Sequence, residues 1–457
     1  MNINLQELMD KQRAYYNSGA TIPVAFRKQQ LCLLYDAVRK NEQEVTEAVR
    51  KDFGKPEIET FVTEIGFLLA EIRHAIKHID KWVKPRKAAG SLALVGSKSY
   101  IVPEPLGLSL IIAPWNYPFQ LALAPLVGAI AAGNCAILKP SELTPHTSAV
   151  IANLCAGLYP EEYITVVEGG VDVSTHLLEQ RFDVIFFTGS TNVGRVVAEA
   201  AAKHLTPTIL ELGGKSPTIV HQDAKLDLAA RRIVWGKFLN AGQTCVAPDY
   251  ILVHKDIKEE LILKLKQEID KAYDDVMGGS TQFPSIINDR HFERLAVLLK
   301  DGSLVHGGRT DAGRRLIEPT LLTDVEWMSP VMQDEIFGPI LPILVYSEIE
   351  EAVRQVKSRP KPLALYLFTE SREVQQLVLE NISFGGGCVN DTLMHLSSPS
   401  LPFGGVGPSG MGAYHGLYSF EAFSHRKSVL KQTTRFDMSI RYGRSPAAVK
   451  LLRRLLK

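Results

Sequence analysis

Apolar residues in the first hundred positions recur at three- and four-residue steps: Leu31, Leu34 and Val38, then Val45 and Val49, each set among charged neighbours. That is the helical period. The same spacing over residues 61–82 predicts a further helix, ended by Pro85 and Gly90. Residues 91–104 alternate apolar and polar side chains and predict a hairpin. Beyond them the pattern changes. Short apolar runs at 108–113, 135–138, 164–167, 184–187 and 208–210 are separated by helical stretches, and a second series follows at 217–220, 250–253, 340–345 and 364–368. Strands alternating with helices mean parallel α/β sheets. With 457 residues, more than one core normally holds, two or three domains are expected. No repeat, low-complexity tract or Pro- or Ser-rich linker separates the two series, which predicts tightly apposed α/β halves.

Residues 105–138 carry no formal charge, a stretch of 34 residues that is long enough to span a bilayer. Pro114, Asn116, Pro118, Gln120 and Pro125 interrupt it, and each proline removes a backbone donor. A buried strand, loop and helix is the expectation. The whole chain has 51 Lys plus Arg against 50 Asp plus Glu, a net charge of +1, so it offers no general field for phosphate backbones and no nucleic-acid partner is expected. Cys32, Cys135, Cys155, Cys245 and Cys388 form no C-x-x-C pair, which indicates neither a disulfide framework nor a metal site. Cys32, Cys135, Cys155 and Cys388 read as buried packing residues. With residues 1–20 lacking a signal-peptide core, a reducing, cytoplasmic setting is expected. Charge gathers only in residues 441–457, where six Lys and Arg and no acidic residue accompany Val449, Leu452 and Leu456. This tail suits a short basic helix that touches an anionic membrane, covers a cleft or packs on the surface.

Cys245 differs from the other cysteines. It follows Asn240-Ala241-Gly242-Gln243-Thr244, where small and polar residues end an apolar run and allow close approach of a ligand. On residues alone it is either a nucleophile or a packing thiol. Glu211 ends the run 208–210 and precedes Gly213 and Gly214. Burial there would raise its pKa toward a value suited to taking a proton from water, though a solvated loop glutamate fits the same segment. Asn116 lies just past an apolar strand, where an amide can donate to an oxyanion or simply form a turn. Thr188-Gly189-Ser190-Thr191-Asn192-Val193-Gly194 opens a helix after a strand and can aim N–H groups at a phosphate. It matches neither G-x-G-x-x-G nor a P-loop. Lys139 and Glu142, after the run 135–138, can hydrogen-bond ribose hydroxyls or stand as surface charges.

In this order the segments resemble the NAD(P)-dependent aldehyde dehydrogenase superfamily. The stretch from Trp235-Gly236-Lys237-Phe238 to Cys245-Val246-Ala247-Pro248-Asp249-Tyr250 is similar to its class 3 branch of fatty and aromatic aldehyde dehydrogenases. Glu335-Ile336-Phe337-Gly338-Pro339, Pro402-Phe403-Gly404-Gly405 and Ser409-Gly410-Met411-Gly412 extend the resemblance over nearly the whole chain. It implies Cys245 as nucleophile, Asn116 and the Cys245 N–H as oxyanion donors, and Glu211 as the base that activates the deacylating water. It also implies Lys139 and Glu142 at the adenosine ribose, Gly189, Ser190 and Gly194 at the pyrophosphate, Glu335 at the nicotinamide ribose and Phe337 beside the nicotinamide. Glu142 favours NAD by repelling a 2′-phosphate, while Lys139 leaves NADP open.

The implied fold is α/β, with a Rossmann-like cofactor domain at 1–82 and 105–210 and a catalytic domain at 211–400. Residues 83–104 and 401–435 would form oligomerisation and bridging segments with a small β arm, and 436–457 the basic tail. A homodimer that oxidises medium- or long-chain aliphatic or aromatic aldehydes to carboxylic acids is the expectation. Two other readings are kept: an acylating relative that passes the thioester to coenzyme A or phosphate, against which Glu211 argues, and a catalytically silent binding relative recruited to membrane by its tail, against which Cys245, Glu211 and Asn116 together argue.

Overall fold

Helices Leu5–Asn17, Val24–Lys40, Glu42–Phe53 and Gly66–Trp82 form the N-terminal layer. The periodic residues Leu31, Leu34, Val38, Val45 and Val49 are all fully buried, so the helical stripe read from spacing is the packed face. Gly54 ends the third helix in the left-handed conformation, at φ 73°. The chain then departs from a simple helix. Phe61–Ile65 is a turn of π-helix ahead of Gly66–Trp82, and the extra residue turns Glu64 and Ile65 inward. The computed structural model describes residues 4–89 and 94–437, together with 442, 443, 446, 449, 450 and 453.

A six-stranded sheet follows, in the order Gly410–Met411, Thr208–Glu211, Val184–Thr188, Leu108–Ile112, Cys135–Lys139 and Ile164–Val166, parallel except for the first strand. Its strands are buried on both faces, which explains their unbroken apolar runs. Ile112 pairs with Lys139 and with Phe187, and Thr188 pairs with Glu211. The carboxyl ends of four strands therefore share one edge, where parallel sheets bind their ligands. The uncharged segment supplies a strand, a loop and the helix Pro118–Ala132, which is buried over its whole length. Pro118 opens that helix, where its missing N–H costs nothing, but Pro125 lies inside it. The proline expected as a break is thus carried within a helix held by packing on every side. Among the described residues, no helix is long and apolar enough to cross a membrane.

The second sheet has seven strands, in the order Ser303–His306, Thr320–Thr323, Ile340–Tyr346, Tyr250–His254, Pro217–Val220, Ala364–Phe368 and Gly386–Val389, again parallel except for the first. A three-stranded antiparallel arm joins Arg86–Ala88, Ser97–Pro105 and Ser424–Gln432. The hairpin expected within 91–104 is corrected here. Ser97–Pro105 is one continuous strand whose hairpin partner is Arg86–Ala88, and residues 90–93 lie outside the described residues. The pairing follows the long outer strand Ser424–Gln432, which matches residues 97–105 one for one. The segment 401–435 thus contributes both the Gly410–Met411 edge of the first sheet and the outer strand of the arm. Most of the tail 441–457 lies outside the described residues; positions 446, 449, 450 and 453 are helical.

Candidate active site

Helix Leu226–Phe238 runs into a short 3-10 turn, Leu239–Gly242, that delivers Cys245 toward the edge of the first sheet. Asn240 and Ala241 both sit at positive φ, 55° and 52°. Such a pair of non-glycine left-handed residues is strained and persists only where surrounding contacts enforce it. The contacts are present. Asn240 N donates to Glu59 Oε2 at 2.9 Å, and its side-chain Nδ2 donates to the carbonyls of Asn116 at 2.9 Å and Gln243 at 3.2 Å. Gly242 follows at φ 72°, and a Cβ there would collide with the Gly338 carbonyl, so the turn and the 335–338 loop meet backbone to backbone.

Asn116, on the loop after Leu108–Ile112, is buried and donates through Nδ2 to the Gln243 carbonyl at 3.0 Å. An amide nitrogen carries two hydrogens, so one donor remains. Next to it, the Tyr117 hydroxyl is hydrogen-bonded to Thr244 Oγ1, the residue before the thiol. Cys245 itself is half-buried. Burial first, then the charges of Glu335 and Glu211, push its thiol up, while the N–H groups of Cys245 and Val246 act the other way. The same charges place both carboxylates within electrostatic reach of the sulfur. Glu211, at the end of its strand, is buried with neither carboxylate oxygen hydrogen-bonded to protein. Burial alone pushes it well above the usual carboxylate range.

Glu335 packs over Gly213, where any Cβ would overlap its carboxylate. Burial and then neighbouring Asp249 push it up to about 8, against the Gly214 N–H and the charges of Lys215 and Lys237. Its loop is clamped from below: Lys215 Nζ is bonded to Asp249 Oδ2 and to the carbonyls of Val331, at 2.8 Å, and Asp334, at 2.9 Å, while Asp249 Oδ1 accepts from Ile336 N at 3.0 Å. Phe337 meets Trp115 edge to face at 5.4 Å, which joins this loop to the one that bears Asn116.

The remaining candidates lie along the strand ends. Ser190 caps helix Thr191–Ala202 by accepting from Val193 N, and Gly189 N donates to the Glu211 carbonyl at 3.0 Å. A Cβ at Gly189 would strike the Phe187 ring at 2.5 Å and one at Gly194 the Leu212 side chain at 2.5 Å, so bare backbone fronts the start of the helix. Lys139 Nζ pairs with Glu142 Oε2 at 2.7 Å; the lysine is buried and the glutamate exposed. This pair stands three strands away from Glu211. The fold thus gathers Cys245, Asn116, Glu211, Glu335 and Phe337 into one region and sets Lys139 and Glu142 further along the same edge. Thr188 Oγ1, buried without a protein partner at that edge, and the uncovered helix start suit a nucleotide with its pyrophosphate at the helix. Among the described residues, no three His, Cys, Asp or Glu side chains are placed to hold a metal ion.

Reading residues along the chain missed Lys55, Glu59, Glu64, Lys215, Lys237 and Asp249, because charged residues without a periodic signature read as surface. Only Lys237, one lysine amid apolar residues of a helix, carried a signal; its Nζ is fully buried without a partner, and burial lowers it to about 8. Of the cysteines expected to be buried, Cys135 and Cys155 are, but Cys32 is exposed on its helix and Cys388 half-exposed on an edge strand.

Residues 4–429 match the aldehyde dehydrogenase family. The chain is 49% identical over 442 residues to a 4,4'-diaponeurosporen-aldehyde dehydrogenase of Staphylococcus aureus, covering 96% of each chain. It is 45% identical over 446 residues to a dimeric NADP-preferring aldehyde dehydrogenase of Rattus norvegicus, covering 97% of this chain and 98% of the other. In structure it superposes on the substrate-bound state of Staphylococcus aureus AldH with a TM-score of 0.97 at 47% identity, over 100% of both chains.

Proposed function

We propose how a chain that belongs to the aldehyde dehydrogenase family, and so oxidises aldehydes to carboxylic acids with NAD(P), divides that reaction among its own residues. Cys245 is the nucleophile. Its thiol gives its proton to water and Sγ bonds the aldehyde carbon, while the carbonyl π pair moves to oxygen. The resulting oxyanion takes hydrogen bonds from the free Nδ2 hydrogen of Asn116 and the Cys245 N–H. Gly189, Ser190 and Gly194 would hold the pyrophosphate of the dinucleotide, Lys139 and Glu142 its adenosine ribose, and Glu335 and Phe337 its nicotinamide end. What NAD(P) supplies when bound is a hydride acceptor and, in its oxidised ring, a positive charge.

After hydride loss the acyl group remains on Sγ as a thioester. Glu211 then takes a proton from water as the water oxygen bonds the acyl carbon, and the C–S bond breaks to return the Cys245 thiolate and release the carboxylic acid, which ionises in solvent as Glu211 gives up its proton there. The observation that carries this reading is Glu211 itself: a buried carboxyl with both oxygens free of protein partners, whose charge reaches the Cys245 sulfur. Such a group is costly to bury without a task. Transfer of the thioester to coenzyme A or phosphate would leave it none.

The substrate class follows the diaponeurosporen-aldehyde relative and the class 3 resemblance: medium- or long-chain aliphatic or aromatic aldehydes. A homodimer built through the arm is the proposed assembly, supported by the outward exposure of Ser424–Gln432 and by the dimeric relative. A cytoplasmic setting and peripheral membrane contact by the basic tail belong to the same proposal. The test is NADH or NADPH formation from a panel of aldehydes, with and without coenzyme A or phosphate. Turnover with cofactor alone is expected; turnover that requires an added acyl acceptor would overturn the hydrolytic reading.

A further inference from the structure

A charged cluster that the mechanism leaves unused lies beneath the two oxyanion donors, in the N-terminal helical layer. Lys55 and Glu64 are fully buried and form an ion pair at 2.9 Å. Glu64 Oε2 also accepts from the N–H groups of Phe119 and Gln120, both at 3.0 Å, in the first turn of helix Pro118–Ala132. Glu64 is thereby an acid at a helix N-terminus supplied by a different element. Lys55 Nζ stands 4.0 Å over the Tyr117 ring, whose hydroxyl reaches Thr244. Glu59, in the short helix Glu57–Thr60 and felt electrostatically by Lys55, takes the Asn240 N–H in the strained turn. Asn240 in turn grips the carbonyls of Asn116 and Gln243. One cluster therefore holds both the loop that bears Asn116 and the turn that bears Cys245, and the π-turn at Phe61–Ile65 is what directs Glu64 inward.

We propose that Lys55, Glu59 and Glu64 are positioning residues for the oxyanion site: they fix the Asn116 amide relative to the Cys245 backbone N–H by holding helix Pro118–Ala132 and the 239–245 turn to one frame. This rests on the reading of Asn116 and Cys245 as oxyanion donors. It separates these residues from the adenosine and pyrophosphate end of the cofactor, since the elements that they hold are not those placed there.

The leading variant is Glu59→Leu, which removes the acceptor for Asn240 N–H at a partly exposed position, with Glu59→Gln as the variant that keeps an acceptor. A second arm is the paired change Lys55→Met/Glu64→Leu, which removes the ion pair together with the acceptor for the Phe119 and Gln120 N–H groups, since removing one partner alone would strand a buried charge. Each is followed by aldehyde oxidation, by cofactor-free hydrolysis of p-nitrophenyl acetate, by the dissociation constant for NADH and by thermal melting. The expected result is a fall in kcat of at least tenfold in both reactions for Glu59→Leu and for the paired variant, with NADH affinity within twofold of the parent and Glu59→Gln restored to within about threefold. Parent-like kcat in Glu59→Leu, loss of NADH affinity in step with kcat, or Glu59→Gln as impaired as Glu59→Leu would overturn the proposal. Asn116→Ala is the control: full activity in it would mean that the oxyanion reading fails, whereas an impaired Asn116→Ala beside a parent-like Glu59→Leu would refute the positioning role alone.

Discussion

Replacing Asn116 by Ala separates catalysis from stability, and both magnitudes follow from its surroundings. The side chain makes one protein hydrogen bond, to the Gln243 carbonyl at 3.0 Å, and that carbonyl keeps a second donor, Asn240 Nδ2 at 3.2 Å. Its loss orphans no buried acceptor, so the stability cost is that of one ordinary hydrogen bond, about 1 kcal/mol. For a chain of 457 residues that lowers Tm by only about 1 °C. The catalytic cost is larger. Losing one donor to a developing oxyanion costs about 10²–10³ in rate, ~2.7–4 kcal/mol, because the site excludes water that would replace it. Single-turnover NADH formation at saturating aldehyde and cofactor, measured beside thermal melting, reads both. A rate loss below about tenfold in a folded variant would refute the role given to Asn116, and a collapse of Tm would show that the amide is structural.

Three further outcomes are expected. Burial raises both Glu211 and the Cys245 thiol, and each acts only after losing its proton, so steady turnover should climb as pH rises from 6 through 9; a rate that falls over that range would contradict both roles. Gly213→Ala introduces a Cβ into the space of the Glu335 carboxylate and should slow hydride transfer by up to about 10²-fold with the fold intact, since an ångström of misplacement carries that cost; an unchanged rate would remove Glu335 from the nicotinamide end. Glu142→Gln keeps Lys139 while removing the negative charge beside it, and should raise the ratio of kcat/KM for NADP over NAD about tenfold, the scale of one screened charge interaction; an unchanged ratio would place the ribose elsewhere.

Central strands and amphipathic helices were readable along the chain because burial writes itself into composition. Pro217–Val220 and Ala364–Phe368 match their apolar runs to the residue, and Leu31, Leu34 and Val38 mark the face that packs. Edge strands carry no such signal. Ser424–Gln432 is largely exposed, Ser303–His306 half exposed, and Gly386–Val389 opens on two glycines, so pairing with neighbours rather than local pattern makes them strands. Pro125 and the Phe61–Ile65 π-turn likewise depend on what surrounds them. At the site, Cys245 and Glu211 follow apolar runs beside small residues and Asn116 follows a strand between two prolines; these positions draw notice but leave packing, loop and turn readings open, and the family resemblance supplies the roles. Lys55, Glu59, Glu64, Lys215 and Asp249 draw none, since their partners lie 9 to 181 positions away along the chain and a charge reads as solvated until the fold removes the water.

The most direct test of the thioester pathway is the mass of Glu211→Gln protein quenched after mixing with NAD and an aldehyde. With the base removed, the acyl enzyme should accumulate: about one NADH per subunit in a burst, slow turnover afterwards, and a mass gain equal to the acyl group that maps to Cys245. Full steady turnover without an adduct would contradict the role of Glu211, and an adduct on Cys388 or any other cysteine would contradict Cys245 as the nucleophile.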